Sequence, residues 1–98
     1  MFASVRMYRG NSELADQLAA RADEVRQAIG VVPGFRAYYM VRGENDTATV
    51  TVCDGPEGAE ESNRRAAAWL RDNMPDLATS PPEICAGEVV MEMSGARV

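Results

Sequence analysis

The sequence of 98 residues contains no histidine, and all ten of its basic residues are arginines, so lysine is absent too. Histidine is the side chain most often used to move protons near neutral pH and to bind zinc or haem iron. Its absence argues against the common histidine-based sites, and we predict neither a metal nor a cofactor. Any chemistry has to use arginine, tyrosine, asparagine, carboxylate or thiol groups, or the substrate itself.

Positive charge is scarce as well, because 15 acidic residues outnumber 10 basic ones and give a net charge of -5. Binding to a phosphate backbone requires concentrated lysine and arginine, so we expect no nucleic-acid partner. No apolar run approaches the ~18 residues that a membrane span needs, and the N-terminal segment MFASVRMYRG lacks the pattern of a signal peptide. These observations favour a cytoplasmic protein with no membrane partner.

Cysteine is limited to Cys53 and Cys85. Two thiols at this spacing form no metal motif, and each lies in an apolar run of the sequence. In a chain without a leader we interpret both as buried free thiols, with a redox or nucleophilic role as the alternative.

The sequence does contain a regular succession of strand and helix patterns. Alternating residues predict four strands, over 2–9, 35–42, 47–54 and 83–93. Helical spacing of apolar residues predicts two helices, over 12–29 and 57–74. The order βαββαβ is that of a ferredoxin-like fold. We therefore predict one α+β domain over residues 1–98, ordered over about 2–93, with two helices on one face of a four-stranded antiparallel sheet.

Alternation along the strands divides the sheet residues between two faces. We expect the more apolar alternate set, which includes Val5, Val50 and Tyr39, to face the helices. The other set mixes aromatic, hydroxyl and arginine side chains, a composition typical of a partly polar subunit interface. We therefore predict a homodimer through this second face, with ion pairing between Arg6 and Glu88; a solvated face is the alternative. The contact candidates are Arg6, Tyr8, Arg36, Tyr38, Met40, Thr49, Thr51 and Glu88.

Four segments of the sequence carry a resemblance, namely PGFRAYYMV (33–41), TVTVCD (49–54), GAEESNRRAAAWLRDNMPDL (58–77) and PPEICAGEVV (81–90). They resemble a family of small uncharacterised bacterial proteins related to the antibiotic-biosynthesis-monooxygenase group of dimeric α+β barrels. The string from Gly58 to Trp69 is the most specific part. The resemblance implies a homodimer in which two sheets form a barrel, with a cavity between helices and sheet in each subunit.

The wider group includes cofactor-free oxygenases of aromatic polyketides, haem-degrading enzymes that use a histidine ligand, and proteins without a known activity. Because an asparagine and a tryptophan line the cavity of the oxygenases, the resemblance implies Asn63 and Trp69 as ligand-binding candidates. Tyr39, in the set expected to face the helices, could add a phenol to the cavity wall. Each has a structural alternative: Trp69 could anchor the core, Asn63 could bond nearby backbone, and Tyr39 could pack.

Two functions remain open from the sequence. The first is a cofactor-independent, monooxygenase-like enzyme acting on a small aromatic or phenolic compound, whose anion supplies the reducing power. The second is a non-catalytic dimer that binds a small molecule or a partner protein. A cavity below roughly 300 Å³ would count against the first, because ligand pockets are generally larger.

Overall fold

The computed structural model describes residues 1–77 and 80–95. Its elements in chain order are β1 (Phe2–Tyr8), α1 (Glu13–Ala20), α2 (Ala22–Ile29), β2 (Phe35–Arg42), β3 (Thr47–Cys53), α3 (Pro56–Asn73) and β4 (Glu83–Glu88). The strands form one antiparallel sheet in the order β2-β3-β1-β4. The predicted ferredoxin-like α+β fold is therefore confirmed.

The helix predicted over 12–29 is divided into two helices at Arg21. This residue has φ -119° and ψ 38°, which lie outside the helical region, and α2 begins at the next residue. The guanidinium of Arg21 bonds to both carboxylate oxygens of Glu24 and lies over the ring of Trp69, 4.8 Å from its centroid. The break thus links the first helical layer to α3 through a cation–π contact.

The helices cover the sheet face that we expected to be open. Burial alternates along β1 and β3, and the buried members are Ser4, Arg6, Tyr8, Thr47, Thr49, Thr51 and Cys53. On β2, Tyr38 and Met40 pack against the same core, whereas Tyr39 is 62% exposed. The predicted assignment of faces is therefore wrong: the interface candidates Arg6, Tyr8, Tyr38, Met40, Thr49 and Thr51 face the helices, and Tyr39 does not.

The opposite face, which we call the open face, is almost entirely apolar. In the register, Val5 lies between Val50 and Cys85, and Val50 also pairs with Tyr39. The residues of this face on the three longer strands are Ala3, Val5, Met7, Ala37, Tyr39, Val41, Ala48, Val50 and Val52. The sheet therefore carries its hydrogen-bonding side chains under the helices and its aliphatic side chains on the side that no helix covers.

The two cysteines have different environments. Cys53 is fully buried and free, as predicted, whereas Cys85 is free but exposed, so the prediction of a buried thiol is wrong at that position. Burial raises the pKa of the Cys53 thiol, and the neighbouring charge of Asp54 adds to the effect. Strand β1 separates the two cysteine-bearing strands in the sheet, as the predicted order requires.

Strand β4 ends at Glu88, although the alternating pattern predicts a strand to residue 93. Glu88 pairs with Phe2, the first residue of β1, and one further backbone bond joins Val89 N–H to the carbonyl of Met1. Beyond it the segment carries three highly exposed apolar side chains, Val90, Met91 and Met93. No helix in residues 1–77 and 80–95 has the length and hydropathy of a membrane span.

Candidate functional site

A groove of about 450 Å³ runs between α3, the segment that leads into β4, and β4 itself. Its apolar walls include Leu70, Ala67, Pro81, Pro82 and Ile84, and its polar lining consists of Arg6 and Tyr8 from β1, Asn63 and Arg71 from α3, and Ser80. Ligand pockets typically have volumes of about 300–1,000 Å³ and combine apolar walls with a few placed polar groups. We call this space the α3 groove.

Helix α3 brings Asn63 to the sheet because of the spacing of its small residues. Pro56 occupies the start of the helix, where its missing N–H costs no hydrogen bond. Ala59, Ser62 and Ala66 then form a buried stripe at helical spacing that lets α3 approach β1 closely. Asn63, next to Ser62, therefore lies at the edge of this stripe, half-buried and within reach of β1 side chains.

The side chain of Asn63 bonds to the sheet rather than to nearby backbone. Its Oδ1 accepts a hydrogen bond from Ser4 Oγ at 2.6 Å and another from Arg6 Nη1 at 2.9 Å. Because arginine can only donate, this contact fixes which end of the amide is the oxygen. The amide NH₂ is consequently the end of Asn63 that remains to donate to a ligand in the α3 groove.

Arg6 is the central polar residue of the site and is only 2% exposed. Besides its bond to Asn63, its guanidinium donates to Ser62 Oγ at 3.2 Å and to Thr51 Oγ1 at 3.1 Å. Its Nε has no partner in hydrogen-bonding geometry, and neither has the buried Oγ1 of Thr49, the residue paired with Arg6 across the β1–β3 ladder. Two neighbouring buried polar atoms of this network thus have no hydrogen-bond partner.

The charge of Arg6 has no carboxylate partner in the described part of the chain. Arg97 lies outside the described residues, and every other arginine apart from Arg6 makes an ion pair at an exposed or partly exposed position. The predicted pairing of Arg6 with Glu88 is wrong: the β4 neighbour of Arg6 is Ile84, and Glu88 lies exposed opposite Phe2. A buried cation without a counterion is costly to a fold.

Two buried phenols lie beside Arg6. Burial raises the pKa of Tyr8 and of Tyr38, and the positive charge of Arg6 opposes that rise at both. Both tyrosines are therefore held in the neutral form over the physiological range, where they can serve as hydrogen-bond donors but not as bases.

The space directly between helices and sheet is nearly filled. The cavity that Arg6, Tyr38 and Trp69 line holds about 30 Å³, the volume of one water molecule in the liquid. Trp69 packs against the hydrophobic core at this cavity, on the α2 side of α3, and does not line the α3 groove. The ligand cavity predicted between the helices and the sheet is therefore too small for a ligand, and the structure does not bring Asn63, Trp69 and Tyr39 together around one open space.

The remaining candidate from the sequence, Arg36, lies at an exposed position next to a β-bulge in β2 and bonds to Asp54 at 2.8 Å. A second groove of about 540 Å³ lies between α2 and β2, but its lining is dominated by apolar side chains such as Val25, Ile29 and Phe35. In the described ranges no cluster of three potential metal-ligating side chains occurs. The α3 groove is therefore the better-equipped site.

Sequence reasoning missed Arg6 as a site residue because it assigned the wrong face to β1. The available signal was the composition of one alternate set: Ser4, Arg6, Thr49 and Thr51 share one side of two neighbouring central strands. Such a polar row in the middle of a sheet requires partners from another element, and α3 supplies them through Ser62 and Asn63.

Two threonines on β3 give a matched test of this network. We expect Thr51→Val to lower the free energy of unfolding by about 1–3 kcal/mol, because it leaves a buried guanidinium N–H without an acceptor. We expect Thr49→Val to change stability by less than about 1 kcal/mol, because its hydroxyl has no partner in good hydrogen-bonding geometry and is at most in weak contact with the phenol of Tyr38, whose pKa it lowers slightly. Urea unfolding of both variants measures the difference; equal losses would contradict the network described here.

Comparison with solved structures shows the fold that this chain shares. A protein of unknown function from Nitrosomonas europaea, NE2512, has a TM-score of 0.70 and 19% identity, over 98% of this chain and 95% of that one. A variant of MhuD with two manganese protoporphyrin IX molecules bound per active site has a TM-score of 0.69 and 19% identity, over 97% and 100% of the two chains. A monooxygenase from the ActVA-Orf6 gene of Streptomyces coelicolor, in complex with nanaomycin D, has a TM-score of 0.62 and 18% identity, over 99% and 90%.

No protein-family model and no curated protein matches the sequence. The structural likenesses confirm the resemblance inferred from the sequence at the level of the fold, since proteins named antibiotic biosynthesis monooxygenases are among them. At identities of 19% and below they do not transfer an activity, because one fold serves many functions.

Proposed function

We propose that this protein is a homodimeric, monooxygenase-like enzyme that binds a small phenolic compound in the α3 groove and oxygenates it without a cofactor. The observation that carries the proposal is the convergence of Arg6 and Asn63 on an apolar-walled groove of about 450 Å³. The volume exceeds the roughly 300 Å³ below which a ligand site would be implausible. The fold shared with a monooxygenase that binds nanaomycin D adds support.

The chemistry makes few demands on the protein. An electron-rich phenol with a free para position reacts with O₂ to give a para-quinone and one water molecule, so the ring supplies the electrons and no external reductant is consumed. The groove would hold the ring between apolar walls and keep water away from it. The buried guanidinium of Arg6 would stabilise negative charge on the phenol oxygen as electron density moves into the ring. Asn63 would orient the same oxygen by donating from its amide.

The open face supports the homodimer, although not through the residues that the sequence suggested. Val5, Val50 and Val52 on the two central strands, with Tyr39 and Val41 beside them, form a continuous apolar surface that no helix covers. Contiguous apolar patches of this kind on soluble proteins mark association sites. Because a two-fold interface is self-complementary, a second copy of the same face is the simplest partner.

The test combines oxygen consumption with one matched pair of variants. We expect the purified, chelator-treated protein to consume O₂ and form a quinone with at least one member of a panel of bicyclic and tricyclic phenols. Asn63→Ala should lower kcat/KM about 10- to 100-fold, because it removes both an orienting donor and a partner of Arg6. Asn73→Ala, on the same helix but bonded only to the Trp69 carbonyl and Arg21, should leave kcat/KM within about twofold.

A second function is distinguished by the same experiment. No carboxylate is among the described residues that line the groove, and the buried Tyr8 there is held neutral, so the described lining offers no general base. Binding of phenols that depends on Asn63, without oxygen consumption, would assign the protein as a non-catalytic small-molecule binder. Absence of binding across the panel would overturn both assignments.

A further inference from the structure

We infer that the ligand of the α3 groove carries an oxyanion, as a carboxylate or an ionised phenol on an aromatic ring, and that Arg6 holds this charge. The inference rests on the proposed function for the location of the site and adds that the ligand is already ionised when it binds, before any reaction with oxygen. It follows from the distribution of charge around one buried side chain.

Arg6 stands apart from the other arginines of the described chain. Each of the others pairs with a carboxylate at an exposed or partly exposed position, where water also solvates it, whereas Arg6 is 2% exposed and bonds to neutral oxygens. Hydrogen bonds to hydroxyl and amide groups satisfy N–H donors but leave the charge uncompensated. An arrangement that costs stability in the free protein is explained if a ligand supplies the missing negative charge.

The surroundings of Arg6 are complementary to an anion. The α3 groove has no carboxylate in its described lining, in a chain whose 15 acidic residues outnumber its 10 basic ones, and Arg71 at its rim is paired with Asp72 only at an exposed position. Two buried polar atoms of the network, Arg6 Nε and Thr49 Oγ1, have no partner. Arg6 Nε is thus a buried donor without an acceptor, and an oxyanion is an acceptor with several lone pairs.

The first experiment compares three probes with the wild-type chain: 2-naphthoate, its neutral isostere 2-naphthamide, and 4-nitrophenol, whose yellow phenolate titrates near neutral pH. We expect 2-naphthoate to bind at least about tenfold more tightly than 2-naphthamide, because bonds to charged groups are the stronger ones. We expect bound 4-nitrophenol to be ionised at a pH at which the free compound is mostly neutral, which its absorbance reports directly. The two arms distinguish a carboxylate from a phenolate as the preferred oxyanion.

The second experiment removes the positive charge in two ways. Arg6→Met deletes the guanidinium, and Asn63→Asp places a carboxylate at the atom that already accepts from Arg6 at 2.9 Å, keeping the shape of the network. Both variants should reduce the preference for 2-naphthoate over 2-naphthamide about tenfold or more and abolish the ionisation of bound 4-nitrophenol. Asn63→Asp should also raise the melting temperature, because it gives the buried cation a counterion. Arg64→Gln, on the exposed side of α3 and paired with Glu61, is the control and should keep the preference within about twofold.

The outcomes separate two questions: whether the α3 groove binds a ligand, and whether that ligand is an oxyanion held by Arg6. Equal affinity for 2-naphthoate and 2-naphthamide in the wild-type protein would overturn the oxyanion inference and leave the groove as a binding site. If the preference for 2-naphthoate over 2-naphthamide persists in both Arg6→Met and Asn63→Asp, Arg6 does not bind the ligand and only stabilises the fold. If none of the three probes binds and no phenol of the panel binds or causes oxygen consumption, the proposed function and this inference are both overturned.

Discussion

Val50→Asp is expected to convert the homodimer into monomers. Val50 lies at the middle of the open face, on a central strand and paired with Val5 and Tyr39. In the proposed dimer the substitution buries an unpaired carboxylate on each side of the two-fold axis. A buried unpaired charge costs about 3–5 kcal/mol, so the dissociation constant should rise by at least about 100-fold. Sedimentation or light scattering over a concentration series measures the change.

The controls for this prediction separate dissociation from unfolding. Val31→Asp makes the same change at a valine that is 62% exposed in the loop after α2, outside the open face, and should leave the dimer intact. Val41→Asp, on the open face but already 53% exposed in the protomer, tests the interface at a position where the fold tolerates charge. A protein that is monomeric before any substitution, or a dimer indifferent to Val50→Asp and Val41→Asp, would overturn the proposed interface.

Gly58→Ala is expected to destabilise the fold strongly, although alanine is the better helix former. A Cβ on Gly58 would overlap the carbonyl oxygen of Pro33 and lie 2.8 Å from both Cβ and Sγ of Cys53. Neither neighbour can move freely, since one is backbone and the other is fully buried. The helix-propensity gain of about 1 kcal/mol is outweighed by an overpacking cost of about 3 kcal/mol or more, so the net loss should be about 2 kcal/mol. The melting temperature should fall by roughly 10 °C.

Gly87→Ala provides the matched control for this second prediction, because a Cβ at Gly87 in β4 has no heavy atom within 4 Å in the protomer. We expect its melting temperature to stay within about 2 °C of the wild-type value. If Gly58→Ala is as stable as Gly87→Ala, the close approach of α3 to the β2–β3 end of the sheet is not as described. That result would also argue against the close packing of α3 that places Asn63 beside β1.

Much of the fold could be predicted because the relevant signals are local. Alternation and helical spacing are properties of a few consecutive residues, and they predicted every strand, α3 and the order of the sheet to within a few residues at the ends. Local signals failed where a distant segment decides the outcome. The pattern that predicts β4 to residue 93 continues past Glu88, but the strand stops there, where its pairing with β1 ends opposite Phe2.

The site could be predicted only in part, because its residues come together across the sheet. Asn63 was found from a resemblance in α3, and the structure places it in the α3 groove. Trp69 and Tyr39 lie elsewhere, since Trp69 faces the core from the other side of α3 and Tyr39 faces the open side of the sheet. Arg6 became a site residue only when the covered face of β1 was known.

The amino-acid sequence by itself determined which segments are strands and helices and in what order they pair, because periodicity and turn residues act over short distances. It did not determine which side of the sheet the helices cover. A strand offers both faces equally to its neighbours, and each alternate set here is suited to burial, one through aliphatic contact and the other through hydrogen bonds to α3. Tertiary packing decided that question, since Ser62 and Asn63 of α3 accept hydrogen bonds from Ser4 and Arg6 in the polar row.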